Sequence, residues 1–279
     1  MSLLLDGRAT ARALAPGLRE RVAKLARPPG LAVVLVGEDP ASQVYVRHKQ
    51  RRAERLGFTG GTHRLAADTS QAAVEALVDQ LNADDTVDGI LVQLPLPAHI
   101  DSGAVLARIR PDKDVDGFHV VNTGHLAQGK PTLVPCTPLG VMRMLQRFDI
   151  SVSGMDAVVL GRSNIVGRPM AMLLEQANAT VTVCHSRTRN VNAHLKRADL
   201  VVAAVGRPKM LGVDHIREGA VVVDVGINRL DDGSLCGDVD FDAVKDSCRA
   251  ITPVPGGVGP MTIAMLMENT VTASERRQG

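Results

Sequence analysis

The sequence is poor in aromatic residues and in long apolar runs. Its 279 residues include no tryptophan, four phenylalanines and one tyrosine, Tyr45. A protein that stacks the bases of single-stranded nucleic acid on aromatic rings is therefore not expected. No stretch approaches the roughly 18 apolar residues of a transmembrane helix, so we expect no membrane contact. The start, MSLLLDGRATARAL, lacks the basic region and apolar core of a secretory signal.

An excess of charge of one sign is also missing. The 32 Lys and Arg residues nearly balance the 30 Asp and Glu residues, and a net charge of +2 gives no reason to expect nucleic acid as a partner. The cysteines are far apart and show no C-x-x-C spacing, so neither a disulfide framework nor a zinc site is expected. We expect free thiols in a cytoplasmic protein without a bound metal. The cysteines are Cys136, Cys184, Cys236 and Cys248.

Apolar runs alternate with helix-like segments along most of the chain. The runs are rich in Val and Leu with little polar alternation, which is typical of parallel strands covered by helices on both faces. Asp39-Pro40 and Thr137-Pro138 each offer a capping side chain followed by proline at the first helical position. The alternation predicts an α/β fold. The predicted strands are 31–36, 89–94, 157–160, 180–184, 200–205 and 220–225, and the predicted helices are 40–57, 70–82, 137–148, 166–177 and 259–274.

The composition changes between residues 111 and 137. This segment is rich in glycine, proline and polar residues and lacks a strong period, so we place a domain boundary near it. At roughly 100–200 residues per domain, the length of the chain also suggests two domains. The helix predicted near the C terminus could pack back on the first domain.

A glycine-rich turn follows the predicted strand 157–160. In VVLGRSNIVGRPMAMLL, residues 158–174, a buried strand runs into a turn and then into a helix. Backbone N–H groups at such a helix start can hold a phosphate. The spacing of Gly161, Ser163 and Gly167 is not G-x-G-x-x-G, so a tight turn without a ligand is the alternative.

The end of the next predicted strand points to the type of nucleotide. NAD sites carry an acidic residue about 20 residues after the glycine turn, where it binds the ribose hydroxyls. Here the sequence is His185-Ser186-Arg187, without an acid, and Arg162 adds a second cation in the turn. Guanidinium and hydroxyl groups favour a 2′-phosphate, so we predict NADP rather than NAD. The alternative is that these residues only face water.

Helix 40–57 carries Tyr45 and Lys49 four residues apart, on one face. Lys49 is either an ordinary surface lysine or, in a cleft where it is desolvated, a usable base. A second stripe of the same helix is formed by Arg47, Arg51 and Arg55. It is either a solvated face or a docking strip for a polyanionic substrate.

Three further segments bear chemistry. Gln93 ends a predicted strand, where it can orient a catalytic group or a substrate carbonyl. The segment Asp112–Gly117 matches the start of a calcium loop, but its twelfth position is Thr123, so calcium is not expected. One of its carboxylates is better suited to bind a ligand edge with two adjacent hydrogen-bond donors, such as that of an amino-pyrimidinone. The glycines and prolines of 252–262 allow the backbone to approach a ligand, or connect the domains.

Together, six segments resemble the bifunctional methylenetetrahydrofolate dehydrogenase/methenyltetrahydrofolate cyclohydrolase family. The resemblance covers nearly the whole chain, and six motifs in family order are more specific than any one of them. The segments are GEDPASQVYVRHK, DGILVQLPLP, PDKDVDGFH, VVLGRSNIVGRPM, VVDVGINR and ITPVPGGVGPMT.

The resemblance implies two α/β domains with a cleft between them. Residues 1–120 with 262–279 would form the N-terminal catalytic, folate-binding domain, and residues 121–261 a Rossmann-like NADP-binding domain. The final helix would return to the first domain, and the protein would be a homodimer. The chain is too short for the formyl-folate synthetase domain of the larger relatives.

The chemistry that the resemblance implies has two steps at one site. NADP⁺ oxidises 5,10-methylenetetrahydrofolate to the methenyl cation, and water converts the cation to 10-formyltetrahydrofolate. Lys49 would be the catalytic lysine and Gln93 would hold it or the substrate, while Tyr45 would stack on folate and Asp116 would bind the pterin edge. The residues at the family's other contact positions are Gly161, Arg162, Ser163, Ser186 and Ile227 for the cofactor, and Gly256 and Gly257 for the backbone beside folate.

Three other functions are compatible with parts of the pattern. A dehydrogenase with a weak cyclohydrolase step would carry the same motifs, because Lys49 serves both steps. A shikimate-type dehydrogenase would leave Tyr45, Gln93 and Asp116 unexplained. A cofactor-binding scaffold or sensor would bind NADP without regard to Lys49.

Overall fold

The structure is a computed structural model that describes residues 2–279. Its contacts divide the chain into two compact units. Unit A comprises residues 14–136 and 263–279, and unit B comprises residues 2–13 and 137–262. This division differs from the sequence-based domain bounds mainly at residues 2–13, which group with unit B, and at residues 121–136, which group with unit A.

Strands and helices alternate through both units. The strands are β1 (Leu3–Leu4), β2 (Gly30–Val36), β3 (Thr59–Leu65), β4 (Gly89–Val92), β5 (Asp156–Leu160), β6 (Thr180–Cys184), β7 (Leu200–Ala203), β8 (Val221–Asp224), β9 (Asn228–Arg229), β10 (Leu235–Cys236) and β11 (Ala250–Ile251). The helices are α1 (Gly7–Ala23), α2 (Pro40–Arg55), α3 (Gln71–Ala83), α4 (Ser102–Arg108), α5 (Val120–Ala127), α6 (Cys136–Arg147), α7 (Gly167–Gln176), α8 (Val191–Leu195), α9 (Phe241–Val244) and α10 (Val258–Gln278), with a 3₁₀ turn at Val213–His215.

Unit A is built on a three-stranded parallel sheet in the order β3-β2-β4. Every residue of β2 is buried, and one face of the sheet packs with α3 and α4 around a core that includes Val34, Val74 and Ile90. Parallel strands need helical crossovers, and these helices supply the cover that the Val-rich runs predicted. The sheet thereby aligns the end of β4 with the loop that follows α4.

Unit B contains a six-stranded parallel sheet in the order β1-β11-β8-β7-β5-β6. The order runs outward from β5 in both directions, as expected for a doubly wound sheet whose ligands bind beyond the carboxyl ends of the strands. Its core includes Val158, Val201 and Val222. The two-residue strand β1 pairs with β11, which is why the first residues of the chain group with unit B.

The C-terminal helix α10 is apolar around most of its circumference and largely buried, as is typical of a core helix. Residues 263–278 of this helix belong to unit A, which confirms the predicted return of the helix to the first domain. Within unit A, Arg21 forms a bidentate pair with Glu275 at 2.7 and 2.9 Å, and the Ser274 hydroxyl donates to Asp88 at 2.9 Å. These contacts fasten the helix where it ends.

The α/β fold and all six predicted strands are confirmed, and so is the cap at Asp39, whose carboxylate accepts from Ser42 N at 2.7 Å. The cap predicted at Thr137 is wrong, because α6 already begins at Cys136. The double-sided burial expected of β6 is also wrong, because β6 is an edge strand and several of its residues are partly exposed.

Candidate active site

The first functional cluster lies in unit A and is centred on Lys49. Lys49 is on α2, and only 9% of the residue is exposed. Its ammonium group donates a hydrogen bond of 3.0 Å to Oε1 of Gln93. Gln93 directly follows β4, its N–H donates to Val34 O, and its amide nitrogen donates to Leu94 O at 2.6 Å. The glutamine therefore presents its oxygen to the lysine in one orientation.

Asp116 joins this cluster from the loop after α4. Burial raises the pKa of its carboxyl to about 6, although the positive charge of Lys49 favours the ionised form. The negative charge of Asp114 adds to the rise, and a hydrogen bond from the Cys136 thiol opposes it. A carboxyl with a pKa this close to neutrality, near a buried lysine, is typical of functional sites.

The loop that carries Asp116 is held by its neighbours in the sequence. Asp114 accepts hydrogen bonds from the backbone N–H of Gly117 and His119 and from the side chain of Asn122, at 3.2, 2.8 and 2.9 Å. The buried Lys113 donates to three carbonyls at the end of α3. The acidic segment that resembles a calcium loop thus fixes the backbone that carries the carboxylate of Asp116.

Cys136 and Asn269 complete the buried surroundings. The Asn269 amide donates to Val115 O and Val134 O, both at 2.8 Å, and lies 3.6 Å from Cys136 Sγ. Burial and the nearby charge of Asp116 raise the pKa of the Cys136 thiol well above its usual range, so it stays protonated and donates. Sequence reasoning missed both residues. Asn269 could have been found as a polar amide within the largely apolar segment of α10, where it needs buried hydrogen-bond partners.

Tyr45 lies one turn before Lys49 on α2 and is half-buried. Desolvation raises the pKa of its phenol group, so the ring stays neutral. The stripe of Arg47, Arg51 and Arg55 is exposed, as a solvated face would be.

The second cluster lies in unit B at the carboxyl ends of β5, β6 and β7. A cavity of about 460 Å³ opens there. Its lining contains cations and hydroxyl groups but no carboxylate. The lining residues are Leu160, Gly161, Arg162, His185, Ser186, Thr188, Val191, Ala204, Val205, Arg207 and Met210.

Two glycines shape the turn beside this cavity. Gly161 has φ +121°, and a Cβ atom there would lie 2.2 Å from Ala204 O. A Cβ atom on Gly167 would lie 2.3 Å from Gly161 O. The strand, turn and helix can therefore approach one another only with glycine at both positions.

The remaining predicted cofactor and folate positions are placed differently. The Ser163 hydroxyl accepts from Val166 N and Gly167 N at 3.2 and 3.4 Å, so it bonds to the backbone at the start of α7 and is not among the residues that line the cavity. Ile227 is also outside this lining and is 45% exposed. Gly256 and Gly257 precede α10, where Gly256 O accepts from Arg8 N.

Residues that the sequence analysis did not single out also line the cavity. Thr188 follows β6 and Arg207 follows β7. Their position after the two strands that flank β5 is the signal that could have found them. With Arg162 and Ser186 they give the cavity a polar, cationic side.

The sequence matches known families along both units. The family description "Tetrahydrofolate dehydrogenase/cyclohydrolase, catalytic domain" matches residues 5–116, and "Tetrahydrofolate dehydrogenase/cyclohydrolase, NAD(P)-binding domain" matches residues 135–278. The chain belongs to the tetrahydrofolate dehydrogenase/cyclohydrolase family.

Individual members of this family are similar to this chain over nearly its full length. The chain is 56% identical to a bifunctional protein FolD from Campylobacter concisus, over 98% of each chain. The crystal structure of the bifunctional FolD enzyme of Campylobacter jejuni superposes with a TM-score of 0.97 at 48% identity, covering 99% of this chain and 100% of that one. The Trypanosoma brucei FolD structure, complexed with NADP cofactor and inhibitor, gives a TM-score of 0.94 at 41% identity, covering 99% and 98%.

Two classes of site are not found in residues 2–279. No group of three or more His, Cys, Asp or Glu side chains is arranged to hold a metal ion in this part of the chain. Within the same residues, no helix is both long enough and apolar enough to span a membrane. The four cysteines are buried and unpaired with one another.

Proposed function

We propose that Lys49, Gln93, Asp116 and Tyr45 perform the two-step reaction of this family. The chain is a bifunctional enzyme that oxidises 5,10-methylenetetrahydrofolate with NADP⁺ to the methenyl cation and hydrolyses the cation to 10-formyltetrahydrofolate. The observation that carries the assignment is the 3.0 Å hydrogen bond from Lys49 to Gln93, together with the carboxyl of Asp116, whose pKa is raised to about 6 and which feels the charge of Lys49.

Lys49 is the proton-handling group in this proposal. In the hydrolysis, a water molecule forms a bond to the methenyl carbon and passes a proton to the amine form of Lys49. The lysine returns a proton to the ring nitrogen as the carbon–nitrogen bond breaks, and one proton is released overall. Gln93 supports both the protonated and the neutral form of Lys49, because its side-chain oxygen accepts a hydrogen bond from Lys49 Nζ in either form. This hydrogen bond fixes the orientation of the lysine nitrogen.

Asp116 and Tyr45 bind the substrate in this proposal. An ionised Asp116 offers two acceptor oxygens to the amino and N–H groups of the pterin edge. The neutral Tyr45 ring offers a flat, half-buried surface for the aromatic part of folate. Gly256 and Gly257 are proposed to let the backbone approach the same ligand.

The cavity of unit B fits the NADP cofactor. Gly161 leaves room for close backbone approach, Arg162, Ser186, Thr188 and Arg207 suit a 2′-phosphate, and no lining acid would repel it. Bound NADP⁺ supplies the hydride acceptor of the first step. Ser163 is proposed to act by shaping the turn, and Ile227 to contact the cofactor outside this cavity.

The test is an assay that follows NADPH and the methenyl product separately, with NADP⁺ or NAD⁺ as the oxidant. NADPH formation without accumulation of the methenyl product supports both activities at one site. Accumulation of methenyl product equal to NADPH would instead indicate a dehydrogenase with a slow hydrolytic step. Absence of turnover with either cofactor would overturn the proposal and the residue roles with it.

We also propose that the protein is a cytoplasmic homodimer. The resemblance to the family supports the dimer, and the four unpaired cysteines are consistent with a reducing compartment. Light scattering of the purified protein should give twice the mass of 29.6 kDa, and a monomeric mass would contradict the dimer. Cell fractionation tests the compartment.

A further inference from the structure

The carboxylate of Asp238 is fully buried and satisfies four donors in unit B. Its Oδ2 atom accepts from Val205 N at 2.7 Å and from Gly206 N at 3.0 Å. Its Oδ1 atom accepts from Arg207 N at 2.8 Å and from the side-chain amide of Asn228 at 3.0 Å. Each oxygen thus receives two hydrogen bonds, which is the arrangement that stabilises a buried negative charge.

The donors belong to two loops at the carboxyl end of the sheet. Residues 205–207 follow β7, and Val205 and Arg207 line the cofactor cavity. Asn228 is the first residue of β9 and directly follows Ile227, which ends the loop after β8. Three successive N–H groups that converge on one point form an anion-binding concavity, and here a carboxylate of the protein fills it. One side chain therefore sets the conformation of both loops.

A second buried carboxylate fixes Asp238 itself. Asp224, at the end of β8, accepts from Asp238 N at 3.0 Å, from Val239 N at 2.8 Å and from Gly226 N at 2.9 Å. Burial raises the pKa of Asp224 to about 6, and the charge of Asp238 adds to the rise, while these N–H bonds oppose it. The two acids and the N–H groups that donate to them form a hydrogen-bonded layer beside the loop of residues 205–207.

Glycine is required where the loops meet these carboxylates. A Cβ atom on Gly226 would lie 2.3 Å from Asp238 Oδ1, and one on Gly237 would lie 1.8 Å from Asp224 Oδ2. The chain therefore keeps the carboxylates and the backbone in direct contact, with no room for a longer or displaced side chain.

We propose that Asp238 is a positioning residue for the cofactor, which it does not itself touch. It holds Arg207 and the backbone of residues 205–207 in the conformation that forms the cavity wall, and through Asn228 it holds the loop that presents Ile227. This inference rests on the proposed assignment of the cavity to NADP. An amide at this position has only one acceptor oxygen, so it leaves two of the four donors facing an NH₂ group.

The test compares Asp238→Asn with the matched control Asp242→Asn, whose side chain is 82% exposed and forms an ion pair with Lys245. Calorimetry should show NADP⁺ binding weakened at least tenfold in Asp238→Asn and unchanged within about twofold in the control. The cyclohydrolase reaction, measured with methenyltetrahydrofolate in the absence of cofactor, should stay within about twofold of the parent protein. Amide hydrogen exchange should become faster at residues 205–207.

The outcomes separate positioning from a merely structural role. Unchanged NADP⁺ affinity, or a cyclohydrolase loss as large as the loss of affinity, would overturn the inference. If Asp238→Asn does not fold, Asn228→Ala removes one donor and should weaken NADP⁺ binding about two- to fivefold, whereas an unchanged affinity would overturn the inference. The proposed function fails separately, if the parent protein binds no NADP⁺ or turns over no folate.

Discussion

The two clusters of this molecule are built in different ways. In unit A, the candidate groups are side chains: Lys49 is buried, and the pKa of the Asp116 carboxyl is raised to about 6. In unit B, the cavity is shaped by backbone at Gly161 and Gly167, and its charged groups, such as Arg162, are exposed. Proton transfer needs perturbed groups in fixed geometry, whereas binding of a polyanion needs accessible cations and close backbone approach.

The difference extends to what supports each cluster. The loop of Asp116 is held by Asp114 and Lys113, which come from the same short motif. The cavity wall of unit B is held by Asp238, which lies more than thirty residues after the loop that it fixes. Local support is visible in a sequence motif, and distant support is not.

Replacing Lys49 in unit A should give the largest difference between the effects on catalysis and on cofactor binding. Lys49→Met should lower cyclohydrolase turnover by about 10²- to 10⁴-fold, the usual contribution of a positioned acid–base group, and should impair the dehydrogenase as well. NADP⁺ binding should persist, because Lys49 does not line the cavity of unit B. Initial rates and calorimetry check both statements. Lys24→Met, at an exposed lysine, is the control, and full turnover of Lys49→Met would sink the proposed mechanism.

The complementary change alters the backbone turn of unit B. Gly161→Ala places a Cβ atom 2.2 Å from Ala204 O in a residue with φ +121°. We expect a loss of stability of about 1–3 kcal/mol from backbone strain and a fall in dehydrogenase activity of about 10²-fold from misplacement of the turn. Cofactor-free cyclohydrolase activity should remain. Gly212→Ala, where a Cβ atom would meet nothing within 4 Å, should change neither activity.

Cofactor preference should respond to the exposed cation beside that turn. Arg162→Ala should lower kcat/KM with NADP⁺ by about 10- to 100-fold, as expected for loss of a charge-assisted contact to phosphate, and should leave kcat/KM with NAD⁺ nearly unchanged. Paired assays with the two cofactors measure the ratio. Arg168→Ala, an exposed arginine outside the cavity lining, should not change it. An equal fall with both cofactors would argue against a 2′-phosphate contact.

The mildest change uses pH to titrate Asp116. Its carboxyl, with a pKa of about 6, is ionised above that pH and protonated below it. Binding of folate, as an unreactive ligand, should therefore weaken about tenfold between pH 8 and pH 5. Calorimetry across this range measures the effect. Asp116→Asn should bind folate weakly at every pH without this dependence, and the same pH profile in that variant would assign the titration to another group.

Much of the architecture followed from local patterns. Five of the six apolar runs became strands buried on both faces, as is typical of a parallel sheet, and the sixth became the edge strand β6. Helix α2 began at Asp39-Pro40 because capping chemistry is local. Strand β3 was not predicted, because its sequence, TGGTHRL, contains two glycines and shows no apolar run. The strand lies half-exposed at the edge of the sheet. Helix α1 was not predicted, because it contains Pro16 and its sequence gives no clear signal of where the helix ends. Both are held by tertiary contacts that override weak local propensity.

The sequence by itself determined the candidate site residues: Lys49 and Tyr45 at helical spacing, Gln93 at a strand end, and a glycine turn followed by cations. Motifs carry this information because the atoms involved lie within a few residues of one another. Only the tertiary structure decided which of those residues meet. It joined Lys49 to Gln93 across 44 positions, placed the Ser163 hydroxyl against the backbone at the start of α7, and placed Asp238 behind the wall of the unit B cavity. Hydrogen bonds between distant segments depend on how the sheets align their strand ends, and no local pattern encodes that alignment.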